Sequence, residues 1–138
     1  MRVLVAGGRD FTDRQGLYAV LDRLDETRHF TVVIHGDYRG VDWLARDWAH
    51  ARDRRDDPYP AEWKRFRGRA GPIRNQRMID EGKPDFAVLF EGGDGTADML
   101  IRLAQAQIPY CTVGHPPKQK RPFVVQVEDW WRHVNIQM

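Results

Sequence analysis

Short apolar runs alternate along the chain with longer segments in which apolar residues recur at every third or fourth position. The runs are rich in Val, Leu, Ile or aromatic residues and lie at 2–6, 31–35, 86–90 and 109–113. Such runs are typical of buried strands, whereas the longer periodic segments are typical of amphipathic helices. The pattern therefore predicts strands that alternate with helices.

Four segments have helical periodicity: one that Thr12 or Asp13 can cap and that carries Leu17, Val20, Leu21 and Leu24, then 43–52, 73–81 and 96–107. Asp42 stands where a capping residue would begin the second helix, and Gly71-Pro72 suits the first turn of the third. Pro58-Tyr59-Pro60 predicts an edge strand or an extended connection. The basic segment 61–70 predicts an exposed loop or short helix that acts as a lid.

Strands that alternate with helices over short connections favour a parallel sheet covered on both faces. We predict an α/β, Rossmann-like three-layer fold with a mostly parallel sheet of about five to six strands. One domain should span 1–138, with a core of about 1–114 and a C-terminal extension, 115–138. Within that extension, 123–127 predicts a last strand, and 128–138 predicts a short helix whose paired tryptophans pack on the body or form a dimer contact.

Composition narrows the class of protein. The 138 residues are 41% hydrophobic and 30% charged, as in an ordinary globular domain, and the net charge is only +2. A protein built to grip a nucleic acid backbone usually has a larger basic excess. No apolar stretch approaches the ~20 residues that span a bilayer, and the N-terminus lacks the pattern of a signal peptide. We expect a cytoplasmic protein that does not bind membranes.

Three predicted strands end in loops that contain glycine: Gly7-Gly8, Gly36 with Gly40, and Gly92-Gly93 with Gly95. The carboxyl ends of parallel strands meet at one edge of a sheet, where ligands of such folds bind. Glycines bring bare backbone N–H groups close to a ligand, and a following helix start adds unpaired N–H groups. The three loops therefore predict a composite site for a phosphate or ribose.

Several side chains near these loops suit such a ligand. Arg74 offers a fork of donors that matches phosphate, although it can instead be a solvated helix arginine paired with Asp80 or Glu81. Asp42 and Asp98 are either helix-stabilising acids or ribose contacts, and Asp98 can also act as a general base. The predicted ligand-binding residues are Gly7, Gly8, Arg9, Gly36, Gly40, Asp42, Arg74, Asn75, Gly92, Gly93, Gly95 and Thr96.

Other classes of site lack their motifs. The five histidines are scattered, so neither a metal site nor a cofactor is indicated. The chain has no Gly-x-x-x-x-Gly-Lys-Ser/Thr loop and no Gly-x-Gly-x-x-Gly after a strand. No serine occurs anywhere, which excludes a serine nucleophile.

Four motifs in this order resemble the YspA-like branch of the SLOG superfamily, which is named after the Smf/DprA DNA-processing proteins and the Lonely Guy enzymes. The motifs are Val5-Ala6-Gly7-Gly8-Arg9-Asp10-Phe11, His35-Gly36 through Gly40-Val41-Asp42, Ala70 through Asn75, and Gly92-Gly93-Asp94-Gly95-Thr96-Ala97-Asp98-Met99. The resemblance covers residues 1 to about 114. It implies a Rossmann-like fold and a nucleotide-derived ligand.

The Lonely Guy relatives are phosphoribohydrolases whose pattern is an arginine followed by methionine, then Pro-Gly-Gly-x-Gly-Thr-x-x-Glu. Arg74 with Met78, and Gly92, Gly93, Gly95 and Thr96, match that pattern. Glu91 replaces the proline, and Met99 replaces the key acid. The resemblance therefore implies the phosphate site more strongly than the hydrolase chemistry.

These observations favour binding or sensing of a nucleotide-derived small ligand, such as an ADP-ribose or NAD-like molecule or a nucleoside phosphate. The alternative is a nucleotide N-glycosidase, in which Arg74 clamps the phosphate and Asp98 assists cleavage of the ribose–base bond. A third reading, binding of nucleic acid through 36–42 and Arg65, Arg67 and Arg69, is disfavoured by the modest net charge. The apolar helices and the tryptophan-rich tail also suggest a homodimer.

Overall fold

A sheet of five parallel strands forms the centre of the protein, in the order β3-β2-β1-β4-β5. The computed structural model describes residues 1–114. The strands are β1 (Arg2–Ala6), β2 (Val32–His35), β3 (Arg55–Pro58), β4 (Phe86–Leu89) and β5 (Tyr110–Thr112). The helices are α1 (Arg14–Arg28), α2 (Val41–Ala51), α3 (Trp63–Phe66), α4 (Ala70–Asp80) and α5 (Asp94–Gln105), and a 3-10 helix occupies Arg67–Arg69.

Each face of the sheet carries its own apolar layer. Val3 and Val5 of β1 face α1 and α2, where Leu21 and Trp48 are among the buried residues. Leu4, between them, belongs to the opposite layer, with residues of α4 and α5. Because successive side chains of a strand point to opposite faces, a strand covered on both sides must be apolar throughout. This confirms the α/β, Rossmann-like three-layer fold.

β3 lies at one edge of the sheet, and its polar sequence does not show the apolar pattern of the other strands. Its sequence is Arg-Asp-Asp-Pro, and it ends at Pro58, the first residue of the Pro58–Pro60 stretch in which we expected an edge strand or connection. Its partners are polar: Asp56 accepts from Nε2 of both His35 and His50, each at 2.7 Å. The faces of this edge strand are only partly covered, with Arg55 and Pro58 exposed, so its side chains need not be apolar.

Helix boundaries differ from the expected ones mainly at the N-termini. α4 begins at Ala70 rather than 73, so Gly71 and Pro72 lie within its first turn. α2 begins at Val41 rather than 43, directly after Gly40. The basic segment 61–70 forms α3 and the 3-10 helix, in agreement with the short-helix alternative. The expected strand 123–127 and helix 128–138 lie outside the described residues.

No helix within residues 1–114 is both long enough and apolar enough to cross a membrane.

Candidate functional site

A cavity of about 430 Å³ opens at the carboxyl ends of the strands. β1 lies between β2 and β4, so the chain runs outward in opposite directions from β1, and such a reversal creates a crevice at this edge. Four stretches of chain and one side chain of α3 line it: Ala6–Arg9; Gly36, Tyr38, Arg39 and Asp42; Trp63; Gly71, Arg74, Asn75 and Met78; and Gly93–Thr96.

The loop after β1 is in direct backbone contact with the other two glycine loops. The N–H of Gly8 donates to the carbonyl of Glu91 at 2.7 Å, and its carbonyl accepts from the N–H of Val41 at 3.2 Å. A Cβ on Gly8 would lie 2.9 Å from the carbonyl oxygen of Glu91. The approach of these loops therefore leaves no room for a side chain at position 8.

Two pairs among the predicted glycines have different roles. Gly40 has φ +87°, and a Cβ there would collide with the carbonyl of Gly8 and lie 2.7 Å from Cα of Arg9. A Cβ on Gly92 would collide with the hydroxyl of Thr96 and lie 2.8 Å from the nitrogen of Gly8. Neither lines the cavity, whereas Gly93 and Gly95 do, with open space around them. Gly40 and Gly92 therefore allow the loops to touch, whereas Gly93 and Gly95 leave their backbone exposed to the cavity.

The start of α5 has the uncapped helix N-terminus that the glycine loop predicts. The helix begins at Asp94 after Gly93, and no side chain caps its first turn. The N–H groups of a first turn have no partner within the helix, and the helix dipole places partial positive charge there. Because Gly93 to Thr96 line the cavity, these amides are available to a bound anion.

Arg74 lies in the wall of the cavity and does not pair with Asp80 or Glu81. Its Nη1 donates to the carbonyl of Gly36 at 2.6 Å, and its Nε donates to Oδ1 of Asn75 at 3.0 Å. Burial lowers the pKa of Arg74, while Asp42 and Asp98 oppose that shift. The guanidinium is thus held in place by the backbone of the β2–α2 loop.

Asp98 contacts a neighbouring network rather than the cavity. Its carboxylate accepts from Nδ2 of Asn75 at 3.0 Å and from Nε and Nη2 of Arg102 at 2.8 and 3.2 Å. It is not among the lining residues. Asp98 therefore orients Asn75, which does line the cavity, and its role as a general base in cleavage of the ribose–base bond stays a prediction.

Asp42 is a buried carboxyl in the wall of the cavity, with only 8% of its surface exposed. Its Oδ2 accepts from the N–H of Tyr38 at 3.2 Å. Burial raises the pKa of Asp42 to about 7, even though Arg74 and the N–H groups of Tyr38 and Gly36 act to lower it. Asp42 thus gains or loses a proton near neutral pH.

Two aromatic residues complete the lining, and sequence reasoning did not assign them to the site. Trp63 is 50% exposed and Tyr38 is 38% exposed, and both line the cavity. Large aromatic side chains are normally covered, so their exposure at a cavity is informative. The available signal was an isolated tryptophan at the start of the basic segment 61–70. Arg39 and Asp94 also line the cavity and were not on the predicted list of ligand-binding residues.

Met99 explains the departure from the Lonely Guy pattern. The side chain is buried in the apolar layer between the sheet and α4 and α5. Position 99 is therefore a core position in this chain and supplies no acid to the cavity. Within residues 1–114, no group of three His, Cys, Asp or Glu side chains could hold a metal ion.

Comparison with known proteins agrees with this architecture. The family model described as "YspA, cpYpsA-related SLOG family" (YAcAr) matches residues 1–66. The chain is also 31% identical over 124 residues to the Gene 61 protein of Mycobacterium phage D29, an alignment that covers 84% of this chain and 98% of that relative. The chain belongs to the YspA, cpYpsA-related SLOG family. The resemblance to the YspA-like branch of SLOG is thereby confirmed, and the part matched by the family model runs from β1 through α3.

Substitution of Gly40 should separate the joining glycines from the exposed ones in this SLOG protein. Gly40→Ala should lower the free energy of unfolding by at least about 2 kcal/mol, because it combines left-handed strain with a backbone collision. The matched control, Gly95→Ala, should be neutral or stabilising by up to about 1 kcal/mol, since alanine favours a helix and the site is open. Urea denaturation measures both, and equal losses would contradict the division into two groups.

The buried carboxyl predicts a pH-dependent stability. Between pH of about 4 and about 7 the unfolded chain has lost the Asp42 proton whereas the native chain retains it, so stability falls as pH rises through this window. Relative to Asp42→Asn, wild type should therefore lose about 2 to 3 kcal/mol of unfolding free energy between pH 5 and pH 8. Urea titrations at the two pH values test this, and a difference that stays constant or grows in favour of wild type would refute it.

Proposed function

We propose that this chain binds and senses a nucleotide-derived small ligand in the cavity at the carboxyl ends of its strands. The observation that carries the proposal is that one cavity combines an uncapped helix start at Gly93–Thr96 with an exposed tryptophan, Trp63. The first feature suits a phosphate and the second suits a planar base. A nucleotide has both groups, joined by a ribose.

The phosphate end of the ligand would lie against the first turn of α5. Gly93 and Gly95 leave their backbone uncovered there, and Arg9, Arg39 and Arg74 supply positive charge to the cavity. Bare amides at a helix start and arginine forks are two separate ways to bind phosphate oxygens. Their presence in one cavity favours a phosphorylated ligand over a neutral one.

The base would stack on Trp63 at the rim. The Trp63 ring stands near the start of α4, where a Cβ on Gly71 would lie 3.8 Å from its Cη2 atom. The ring and the first turn of α4 therefore border the same part of the cavity. Stacking on an aromatic side chain tolerates any base, which fits a site with a defined ligand class rather than a defined base.

A cavity of this size suits a small ligand better than a nucleic acid strand. Its volume of about 430 Å³ lies in the range of small-molecule sites, ~300–1,000 Å³. The basic residues of 65–69 do not line it. The ligand classes that we propose are ADP-ribose or NAD-like molecules and nucleoside phosphates.

Binding is also better supported than hydrolysis by the expected acid. Met99 is a core residue, and Asp98 is engaged with Asn75 and Arg102 outside the lining. The N-glycosidase alternative therefore stays a prediction, and sensing is the function that we propose.

Truncation of Trp63 should reduce the affinity for ligands that carry a base and leave the affinity for ligands without a base unchanged. Isothermal titration of the full chain with AMP should show affinity reduced about 10- to 100-fold in Trp63→Ala, which corresponds to about 1–3 kcal/mol of stacking. Ribose 5-phosphate, which lacks the base, should bind wild type and this variant equally.

The matched control is Trp43→Ala. Trp43 is 43% exposed but does not line the cavity, and its Nε1 donates to Asp37 at 3.2 Å. Its removal should leave the AMP affinity within about threefold of wild type. Equal effects of the two tryptophan variants on AMP would contradict the proposed position of the base.

A further inference from the structure

Asp42 differs from the other acidic residue in the cavity. Both Asp42 and Asp94 line it, but only Asp42 is buried, and Asp94 lies exposed at the start of α5. A buried carboxyl is costly unless it has hydrogen-bond donors. Its described donors are the N–H of Tyr38, at 3.2 Å, and the N–H of Gly36, and a carboxylate with two oxygens still has acceptor capacity left for a ligand.

Arg74 and Asp42 approach the same point beside Gly36. A Cβ on Gly36 would lie 2.8 Å from Oδ2 of Asp42 and would collide with Nη1 of Arg74. The two charges influence each other, yet within residues 1–114 no salt bridge joins them. Arg74 instead donates to the carbonyl of Gly36. The carboxyl is therefore stabilised by a nearby cation without being neutralised in a direct ion pair.

The proposed orientation of the ligand determines which of its groups meets this acceptor. With the phosphate at Gly93–Thr96 and the base at Trp63, the part between them is the ribose. The ribose carries two neighbouring hydroxyl groups, and the two oxygens of a carboxylate can accept one hydrogen bond from each. No other part of a nucleoside phosphate between its phosphate and its base offers a pair of donors.

We propose that Asp42 accepts hydrogen bonds from the 2′- and 3′-hydroxyls of the bound ribose and makes the site selective for ribonucleotides over 2′-deoxyribonucleotides. This inference rests on the proposed function, since it assumes that a nucleotide occupies the cavity. A site built to hydrogen-bond a hydroxyl discriminates strongly against an analogue that lacks it, because the buried acceptor is then left unpaired.

Proton binding at Asp42 gives the selectivity a pH dependence. The ionised carboxylate accepts both hydrogen bonds, whereas the protonated acid must use one oxygen as a donor. Because burial raises the pKa of Asp42 to about 7, raising the pH through neutrality converts the group to the ionised carboxylate, which accepts both ribose hydrogen bonds. The charged groups near it are Arg74 and Asp37, and the other charged residues that line the cavity are Arg9, Arg39 and Asp94.

His35 is the remaining titratable group of this loop, and it already has partners. Its Nδ1 accepts from the N–H of Asp37 at 3.0 Å, and its Nε2 contacts Asp56 at 2.7 Å. Since Nδ1 acts as an acceptor, the ring proton lies on Nε2. His35 thus holds the backbone of the loop through Asp37, and it does not line the cavity.

The test compares AMP with 2′-deoxy-AMP on the full chain by isothermal titration. At pH 8 wild type should bind AMP about 10- to 100-fold more tightly than 2′-deoxy-AMP. From pH 8 to pH 6 that ratio should fall by up to about tenfold, because only about a tenth of Asp42 is ionised at the lower pH. The phosphate is the same in both ligands, so its own titration cancels in the ratio.

Asp42→Asn tests whether this residue is responsible. Asparagine retains an acceptor for the N–H of Tyr38 but offers a single oxygen, so the AMP preference should fall below about threefold at both pH values. A residue that only fixed the loop would change both affinities together and leave their ratio intact. Asp47→Asn, on the same helix but hydrogen-bonded to Arg14 and Arg46, is the matched control and should keep the wild-type ratio.

The outcomes separate this inference from the proposed function. If wild type binds neither AMP nor 2′-deoxy-AMP, the proposed function fails for this ligand class and the inference fails with it. Equal binding of the two ligands, or a preference that Asp94→Asn removes and Asp42→Asn does not, overturns the inference alone. If Asp42→Asn does not fold, the test is the pH dependence of the wild-type ratio of AMP to 2′-deoxy-AMP affinity. A ratio that stays constant from pH 6 to pH 8 contradicts the role of Asp42.

Discussion

The cavity depends on close contact between three backbone segments. Gly8 lies between the loop of Gly40 and the loop of Glu91 and Gly92, and it is hydrogen-bonded through its N–H to one and through its carbonyl to the other. A side chain at any of Gly8, Gly40 or Gly92 would meet main-chain atoms of a neighbouring loop within 3 Å. This contact positions the starts of α2 and α5 beside the end of β1. Gly8, Gly40 and Gly92 thus form a backbone frame that holds the residues lining the cavity in place.

The frame allows polar groups to be buried where a ligand would contact them. Asp42 and Arg74 approach each other over Gly36, and Asn75 is oriented by Asp98 and by the carbonyl of Gly95. Each of these side chains is held by backbone or by a second side chain, so little order would have to be created on binding. Such preorganisation lowers the entropic cost of association. It also explains the raised pKa of Asp42, since the same packing that orients the carboxyl removes it from water.

The sequence predicted the fold well because most strands are covered on both faces. Apolar runs revealed β1, β2, β4 and β5, whereas β3 lies at the edge and its acidic side chains contact His35, His50 and Arg2. No pattern of apolar residues marks such a strand. Gly71-Pro72 was expected in the first turn of α4 and lies there, but the periodic segment begins only at 73 because glycine and proline add nothing to an apolar period.

For the site, the glycine loops located the right edge of the sheet, but spacing alone did not separate lining residues from supporting ones. Gly40 and Gly92 hold neighbouring loops in contact, whereas Gly93 and Gly95 line the cavity. Only the tertiary contacts reveal this difference. Asp98 and Asp42 looked alike as acids near a helix start, yet one orients Asn75 and the other lines the cavity. Trp63 reaches the cavity from α3, a separate short helix, so local sequence around the glycine loops could not identify it.

The central claim is that a nucleotide binds with its phosphate at the start of α5 and its base on Trp63. A titration of ¹⁵N-labelled protein with AMP, followed by amide and indole chemical shifts, tests it most directly. If the nucleotide binds in this orientation, the largest changes fall on the amides of Gly7–Arg9 and Gly93–Thr96 and on the indole N–H of Trp63. Changes concentrated instead in the groove of Arg69, Arg77 and Arg102 between α4 and α5, or no changes at all, would contradict it.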